Sequence, residues 1–129
     1  MTTQIKLSEI LTVENIPPVE TVTTLNVEHV GITSVSVANG QTEYEVDVTF
    51  TAASLQAVYL YSDKAITVTP YNGGSAGTPI VLAAGVPVSW LTGKGTAPFV
   101  ADVTKLLIAN ASGFAAAFKL IIGRDLTPA

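Results

Sequence analysis

The sequence predicts an all-β protein: a single antiparallel β-sandwich, jelly-roll-like, or a small barrel, with about eight or nine short strands and an extended N-terminal arm. Apolar residues recur at every second position over most of the chain, which is typical of half-buried strands. Turn residues separate these stretches at intervals of about 8–12 residues. A chain of 129 residues, 48% of them hydrophobic, fits one domain with a sizeable core.

The N-terminal segment is expected to be separate from the sandwich, with an arm at 1–20 and a β-sandwich domain at 21–129. Pro17 and Pro18 cannot donate to a strand ladder, so the segment around them reads as an extended connector. An arm of this kind would pair with a free strand edge of a neighbouring subunit. Its apolar contacts would come from Ile5, Leu7, Ile10 and Leu11.

The clearest strand runs from Glu43 to Thr51, where apolar and polar residues alternate strictly. One face carries Tyr44, Val46, Val48 and Phe50, and the other carries Glu43, Glu45, Asp47, Thr49 and Thr51. Asn39-Gly40 precedes this strand and suits the positive φ angles of a tight turn. We therefore expect residues 32–38 and 42–51 to form a hairpin.

The remaining strands follow from the same alternation. They are expected at Gln4–Ser8, Val22–Val30, Leu55–Tyr61, Ala65–Tyr71, Pro79–Ala83, Val86–Leu91, Lys105–Asn110 and Phe114–Ile122. Asn72-Gly73-Gly74 predicts a small-residue loop between two short strands, and Gly113 predicts a hairpin between the last two. Residues 99–107 also match a helical stripe, but the preceding glycines and proline favour a loop that leads into a strand.

Composition excludes several classes of function. The net charge is −4 and the six basic residues are scattered, which disfavours nucleic-acid binding. There is no cysteine for disulfides, thiolate metal sites or nucleophilic catalysis. No apolar run reaches the ~18 residues that span a bilayer. The N-terminus lacks a secretory signal pattern, so we expect synthesis in a cytoplasm.

Few residues are equipped for catalysis, and we expect no catalytic residues, no metal and no cofactor. His29 is the only histidine, so a general base or pH-sensitive contact is less favoured than a partly buried histidine at a strand end. The acids Glu43, Glu45 and Asp47 are about 7 Å apart along one strand face. Such carboxylates can serve a glycosidase or bind calcium, but they are also typical of a solvated face that discourages edge pairing.

Two short motifs are weak. Gly93-Lys-Gly-Thr96 lacks the spacing of a phosphate-binding loop, because Lys94 is followed by glycine rather than Ser or Thr. Asn110-Ala-Ser112 matches the N-glycosylation acceptor, but without a secretory signal the match is expected to be idle.

Trp90 is the single tryptophan and closes the stretch Val86–Leu91. A tryptophan at the end of an apolar strand is typically a core or interface anchor. The alternative is a sugar-stacking platform, which would need Trp90 exposed in a row with Tyr59, Tyr61 or Tyr71.

The second half of the chain, roughly residues 58–128, resembles small structural proteins of tailed bacteriophages. The stretches that carry the resemblance are Ser62-Asp63, Ile66–Thr69, Asn72-Gly73, Ile80–Gly85, Pro87–Trp90, Asp102–Leu106, Asn110–Gly113 and Asp125–Pro128. The resemblance implies a β-sandwich displayed on the virion as a head decoration (cement) protein or a tail accessory.

We therefore expect a non-enzymatic virion protein that binds and stabilises the head surface as a homo-oligomer, with a trimer favoured. Only 12% of residues are charged, which favours a surface partly covered by partners. Those partners would be copies of the chain itself and the major capsid or tail protein. The alternatives are a tail accessory or a carbohydrate- or receptor-binding module; an enzyme would have only the acidic strand face to work with.

Overall fold

The computed structural model describes residues 3–14, 16–27, 29–93 and 95–125, and these residues form an all-β protein with three antiparallel sheets. Two of the sheets make the expected small β-sandwich. The third is an N-terminal hairpin of two long strands. No helix in the described part of the chain is long and apolar enough to cross a membrane.

The N-terminal hairpin consists of β1 (Thr3–Val13) and β2 (Ile16–Val27), paired from Thr3↔Val27 inward. The paired segment thus runs to Val27, beyond the boundary expected at residue 20. Pro17 and Pro18 lie within β2, next to a register irregularity opposite residues 11–13. That irregularity fits the missing N–H donors of the two prolines.

The sandwich strands follow from residue 29 onward. They are β3 (His29–Val37), β4 (Tyr44–Val46), β5 (Leu55–Ser62), β6 (Ile66–Asn72), β7 (Ser75–Ala76), β8 (Ile80–Leu82), β9 (Val88–Leu91), β10 (Lys105–Ala109) and β11 (Ala116–Arg124). A short 3₁₀ turn, Ala52–Ser54, leads into β5.

The strand order is that of a jelly roll. The back sheet has the order β3-β11-β5-β9, and the front sheet has β4-β10-β6, with β7 and β8 both pairing with β6. Apart from the turns around β6, β7 and β8, every connection in the sandwich passes from one sheet to the other. Two Greek keys wound in this way make a jelly roll.

The core lies between the two sheets and is made of alternate residues from each strand. Fully buried side chains include Val37, Leu60, Val68, Leu82, Leu106, Ile108, Phe118 and Leu120. Phe50 and Phe99 close one end of the core with their rings edge to face, 5.1 Å between centroids. The predicted alternation along residues 43–51 is confirmed, since its apolar face is turned to the core and its polar face is exposed.

Two predicted hairpins are wrong. Residues 32–38 do not pair with 42–51; β3 pairs with β11, while β4 pairs with β10 in the other sheet. Likewise β10 and β11 lie in different sheets. Gly40 and Gly113 do have positive φ, at 85° and 91°, but both turns carry the chain across the sandwich instead of back along its own sheet. An alternating pattern defines the buried face of a strand but not its partner.

Asn110 holds these two crossings together. It is 1% exposed, and its Nδ2 donates hydrogen bonds to the carbonyl oxygens of Val37 at 2.9 Å and Phe114 at 2.8 Å. Its Oδ1 accepts from the N–H of Ser112, at 3.1 Å. The N–H of Gly40 donates to the Asn110 carbonyl, at 2.9 Å. One amide side chain therefore links the ends of β3, β10 and β11.

Two other predictions of local structure are confirmed. The strands β6 and β8 pair with the register Ile66↔Leu82, and the small-residue segment between them turns at Gly73-Gly74 and contains the two-residue strand β7. Residues 99–104 form no helix; they are a loop in which Val103 makes an isolated bridge with Phe50 before β10 begins.

Gly31 lies in β3 where no described atom would come within 4 Å of an added Cβ, and its φ is not in the left-handed region. We expect Gly31→Ala to raise the free energy of unfolding by about 0.4–1 kcal/mol, because it reduces the freedom of the unfolded chain without strain. Thermal and urea unfolding measure this. Gly113→Ala is the control, because φ of 91° should make that variant less stable than the parent. A destabilised Gly31→Ala would contradict the expectation.

Candidate functional site

The acidic strand face is solvated. Glu43, Glu45 and Asp47 are all exposed, and Glu45 makes an ion pair with Lys105 of β10 at 3.4 Å. Among the described residues there is no cluster of three or more His, Cys, Asp or Glu side chains that could hold a metal ion. An exposed ion pair of this kind adds little stability. The acids instead border the short edge strand β4.

The remaining weak candidates are not brought together. His29 begins β3 and is exposed, not partly buried as expected, because it lies at the sheet end opposite Arg124. In the glycine-rich segment, Lys94 lies outside the described residues, and Gly95 accepts a hydrogen bond from the Trp90 indole. The amide of Asn110 is buried and fully engaged, so the glycosylation motif is inaccessible in the folded chain.

Trp90 is half-buried and packs against the core from the edge strand β9. It pairs with Val58 of β5, and its Nε1–H donates to the Gly95 carbonyl at 3.2 Å. Because neighbouring residues of a strand point to opposite faces, Trp90 and Tyr59 lie on opposite sides of the back sheet. The aromatic row needed for a platform that includes Trp90 is therefore not formed. Its proposed role as an interface or packing anchor stays a prediction.

The expected arm contacts lie on β1. Ile5, Leu7, Ile10 and Leu11 pair with residues of β2 through the backbone, while their side chains are outside the described part of the structure. The exposed side chain of Lys6 is described, and it lines a cleft of ≈ 160 Å³ with Ala57, Trp90 and Leu91. The hairpin thus lies beside one end of the back sheet, where Ala57 and Leu91 are buried although they are not part of the core.

The most distinctive surface of the described residues is the outer side of the back sheet, which we call the tyrosine face. It is an open depression of ≈ 730 Å³ over strands β3, β11 and β5. The side chains on its outer side are Ser34, Ser36, Tyr59, Tyr61, Ala117, Lys119 and Ile121. The register places Lys119 between Ser34 and Tyr61, and Ile121 beside Tyr59.

The tyrosine face combines two tyrosines with a single charged side chain. Tyr59 and Tyr61 are half-buried and lie two residues apart on β5, so both side chains are partly accessible on the same side of the sheet. Lys119 is the single charged side chain among the seven, and Ser34, Ser36 and Ala117 are small. Tyrosine enrichment and charge depletion mark the centres of protein interfaces.

Sequence reasoning reached part of this surface. Alternation in β5 places Tyr59 and Tyr61 on one face, and both are candidates for an aromatic row. Local alternation does not reveal that this face turns outward beside Lys119, because that depends on the pairing of β5 with β11. Asn110 was missed as a structural residue because Asn-Ala-Ser-Gly has the composition of a loop.

Comparisons with known proteins give little further guidance. No protein-family model matches the sequence, and no curated protein matches it. Among solved structures, the chain is similar to one described by the words "Bacillus endospore appendages form a novel family of disulfide-linked pili". The TM-score is 0.38 and the identity 17%, over 76% of this chain and 89% of that chain. A likeness of this size establishes no shared function.

Proposed function

We propose that this chain is a non-enzymatic structural protein of a tailed-bacteriophage virion, which binds the head surface as a homo-oligomer and stabilises it. The observation that carries the proposal is the tyrosine face, a broad and open surface with two half-buried tyrosines and one charge. Such an open surface suits a broad protein partner better than a small molecule, which a binding site usually encloses on most sides. The resemblance of residues 58–128 to phage structural proteins supplies the virion context.

In this proposal the tyrosine face docks on the major capsid protein. Tyr59 and Tyr61 would supply apolar area with a hydroxyl at the rim, and Lys119 would pair with an acidic group of the partner. The N-terminal hairpin, which adds no strand to the sandwich sheets, would contact a neighbouring subunit. The same surfaces would serve a tail accessory if the partner is a tail protein.

The direct test is electron microscopy of purified particles from the phage or prophage whose genome encodes this chain. We expect density for the sandwich on the head, with the back sheet turned toward the shell. Particles that assemble fully without this chain in them would contradict the virion assignment. Density at the tail would replace the head assignment by the tail alternative.

A variant tests the docking surface. We expect Tyr61→Ala to weaken binding to particles that lack the native chain by about thirtyfold or more, as for a truncated interface anchor of about 2 kcal/mol. Tyr71→Ala is a matched control, because Tyr71 is also half-buried and also lies beside a lysine, Lys105, at 5.5 Å from its ring. Occupancy of particles measured by sedimentation gives both affinities. Equal losses for the two variants would exclude the tyrosine face as the docking surface.

A carbohydrate- or receptor-binding module is the second candidate, and the presence of both Tyr59 and Tyr61 on the tyrosine face is the observation that favours it. Sugars stack on exposed aromatic rings, and the neighbouring Ser34 and Lys119 offer hydrogen-bonding groups. A glycan array separates the two candidates. Glycan binding by the parent chain that is lost in Tyr61→Ala would support this module over head decoration.

A further inference from the structure

The back sheet ends in a long strand with one unpaired edge. β3 pairs with β11 along its whole length, from His29↔Arg124 to Val37↔Ala116. Along residues 30–36, the other edge of β3 makes no backbone hydrogen bond to any described residue. A row of free N–H and C=O groups of this length is a template for pairing with another strand.

The other edges of the sandwich are protected in the ways that proteins commonly use. The strand β4 has three residues and is flanked by acids, and β8 has three residues and follows Pro79. The strand β9 has four residues and follows Pro87. Short length, charge and proline all block edge pairing. In contrast, β3 has nine residues, and Val30–Val37 contains no charge and no proline.

We propose that β3 pairs antiparallel with β3 of a second copy of this chain across a twofold axis. The charge distribution favours a second copy as the partner. The chain has ten acidic residues and a net charge of −4, so copies repel one another at most approaches. Two β3 edges bring no like charges together, whereas two acidic β4 edges would. A self-complementary contact of this kind closes on itself as a dimer.

The side chains of β3 fit a register centred on Thr33. In that register Thr33 faces its own copy, which is a favourable cross-strand pair. Gly31 lies opposite Val35 of the second copy. A Cβ added to Gly31 would meet no described atom within 4 Å, so there is open space beside it. On the outer side, Ile32 lies opposite Ser34, and Ile32 is 67% exposed in the single chain. Pairing would cover this apolar side chain.

The dimer would place two tyrosine faces in one surface. Antiparallel edge pairing joins the two four-stranded back sheets into one continuous sheet, with the same side of each facing the same way. The dimer would then present two docking surfaces to one shell. This role of the dimer rests on the proposed function. Two linked sites bind a repetitive surface far more tightly than one.

Charges introduced on the outer side of β3 test the pairing. The variant Ile32→Lys with Ser34→Lys sets the lysines introduced at positions 32 and 34 directly opposite one another across the axis, while both sites are exposed in the single chain. We expect the dimer dissociation constant to rise at least about tenfold, because like charges opposite each other destabilise strand pairs. Ile32→Glu with Ser34→Glu should behave in the same way. An equimolar mixture of the two variants should restore a dimer.

The control is Thr96→Lys with Val100→Lys, which adds the same charge at two exposed loop positions. Sedimentation equilibrium at micromolar concentrations gives the masses, and circular dichroism confirms folding of each variant. A parent dimer, a monomeric lysine variant and a mixed heterodimer would establish the pairing. A parent trimer, a parent monomer, or a dimer that the charges leave unchanged would overturn it. Particle occupancy by the parent chain is measured separately. If the pairing fails, the virion assignment is therefore still decided by the occupancy of particles.

Discussion

Asn110→Ala is expected to lower the free energy of unfolding by about 2–4 kcal/mol, because it removes a buried amide that several backbone groups use. The carbonyl oxygen of Val37 would lose the amide donor, that of Phe114 would keep only the Ser112 hydroxyl, and the N–H of Ser112 would lose its acceptor. The site is inaccessible to solvent at 1% exposure, so bulk water cannot replace these bonds without local opening. Such a change is a large share of the roughly 5–15 kcal/mol that holds a domain together.

Urea unfolding of three variants separates the causes. Asn110→Asp keeps the size of the side chain but not its donor, so it should be destabilised at least as much as Asn110→Ala. Ser112→Ala removes the hydroxyl 2.7 Å from the Asn110 oxygen and keeps the amide, so it should cost only about 1 kcal/mol. If Asn110→Ala unfolds at the same urea concentration as the parent, Asn110 does not hold the crossings together.

Trp90→Ala is expected to cost about 3 kcal/mol, the lower end for truncation of a packed tryptophan, because Trp90 is half-buried at the edge of the core. The loss combines apolar area with a cavity beside Val58. Trp90→Phe is the matched control: it keeps one ring against the core and loses the rest of the indole together with its hydrogen bond to Gly95, so it should cost less than Trp90→Ala.

Melting and glycan-array measurements on the same Trp90 variants distinguish packing from sugar binding. If Trp90 is a packing residue, the melting temperature should be highest for the parent, lower for Trp90→Phe and lowest for Trp90→Ala. Glycan binding should not change. An unchanged melting temperature in Trp90→Ala together with a lost glycan signal would assign the residue to a binding site instead.

The alternation of the sequence determines which side of each strand is buried, and this part of the fold could be predicted. Residues 43–51 illustrate it, since every second side chain from Tyr44 to Phe50 turns toward the core. Strand partners could not be predicted in the same way. A tight turn at Asn39-Gly40 is equally compatible with a hairpin and with a crossing. The choice depends on long-range contacts such as the hydrogen bond from Gly40 to Asn110, which are 70 positions apart in the sequence.

The candidate surface was predictable only in its components. Tyr59 and Tyr61 share a face because they are two residues apart, which any strand would ensure. Their position beside Lys119 depends on the pairing of β5 with β11, which joins distant parts of the chain. Local patterns contain no information on such long-range register.

The jelly-roll order also sets when this chain can fold. Residues of β3 find their only described strand partner in β11, so the first strand of the sandwich stays unpaired until the last has left the ribosome. Pairings between such distant segments make folding slow, because the entropy of closing long loops opposes them. During synthesis both edges of β3 are open, and nascent chains on neighbouring ribosomes can join through them. A chaperone that covers β3 should therefore raise the yield of correctly folded protein, and slower translation, which prolongs the exposure of β3, should lower it.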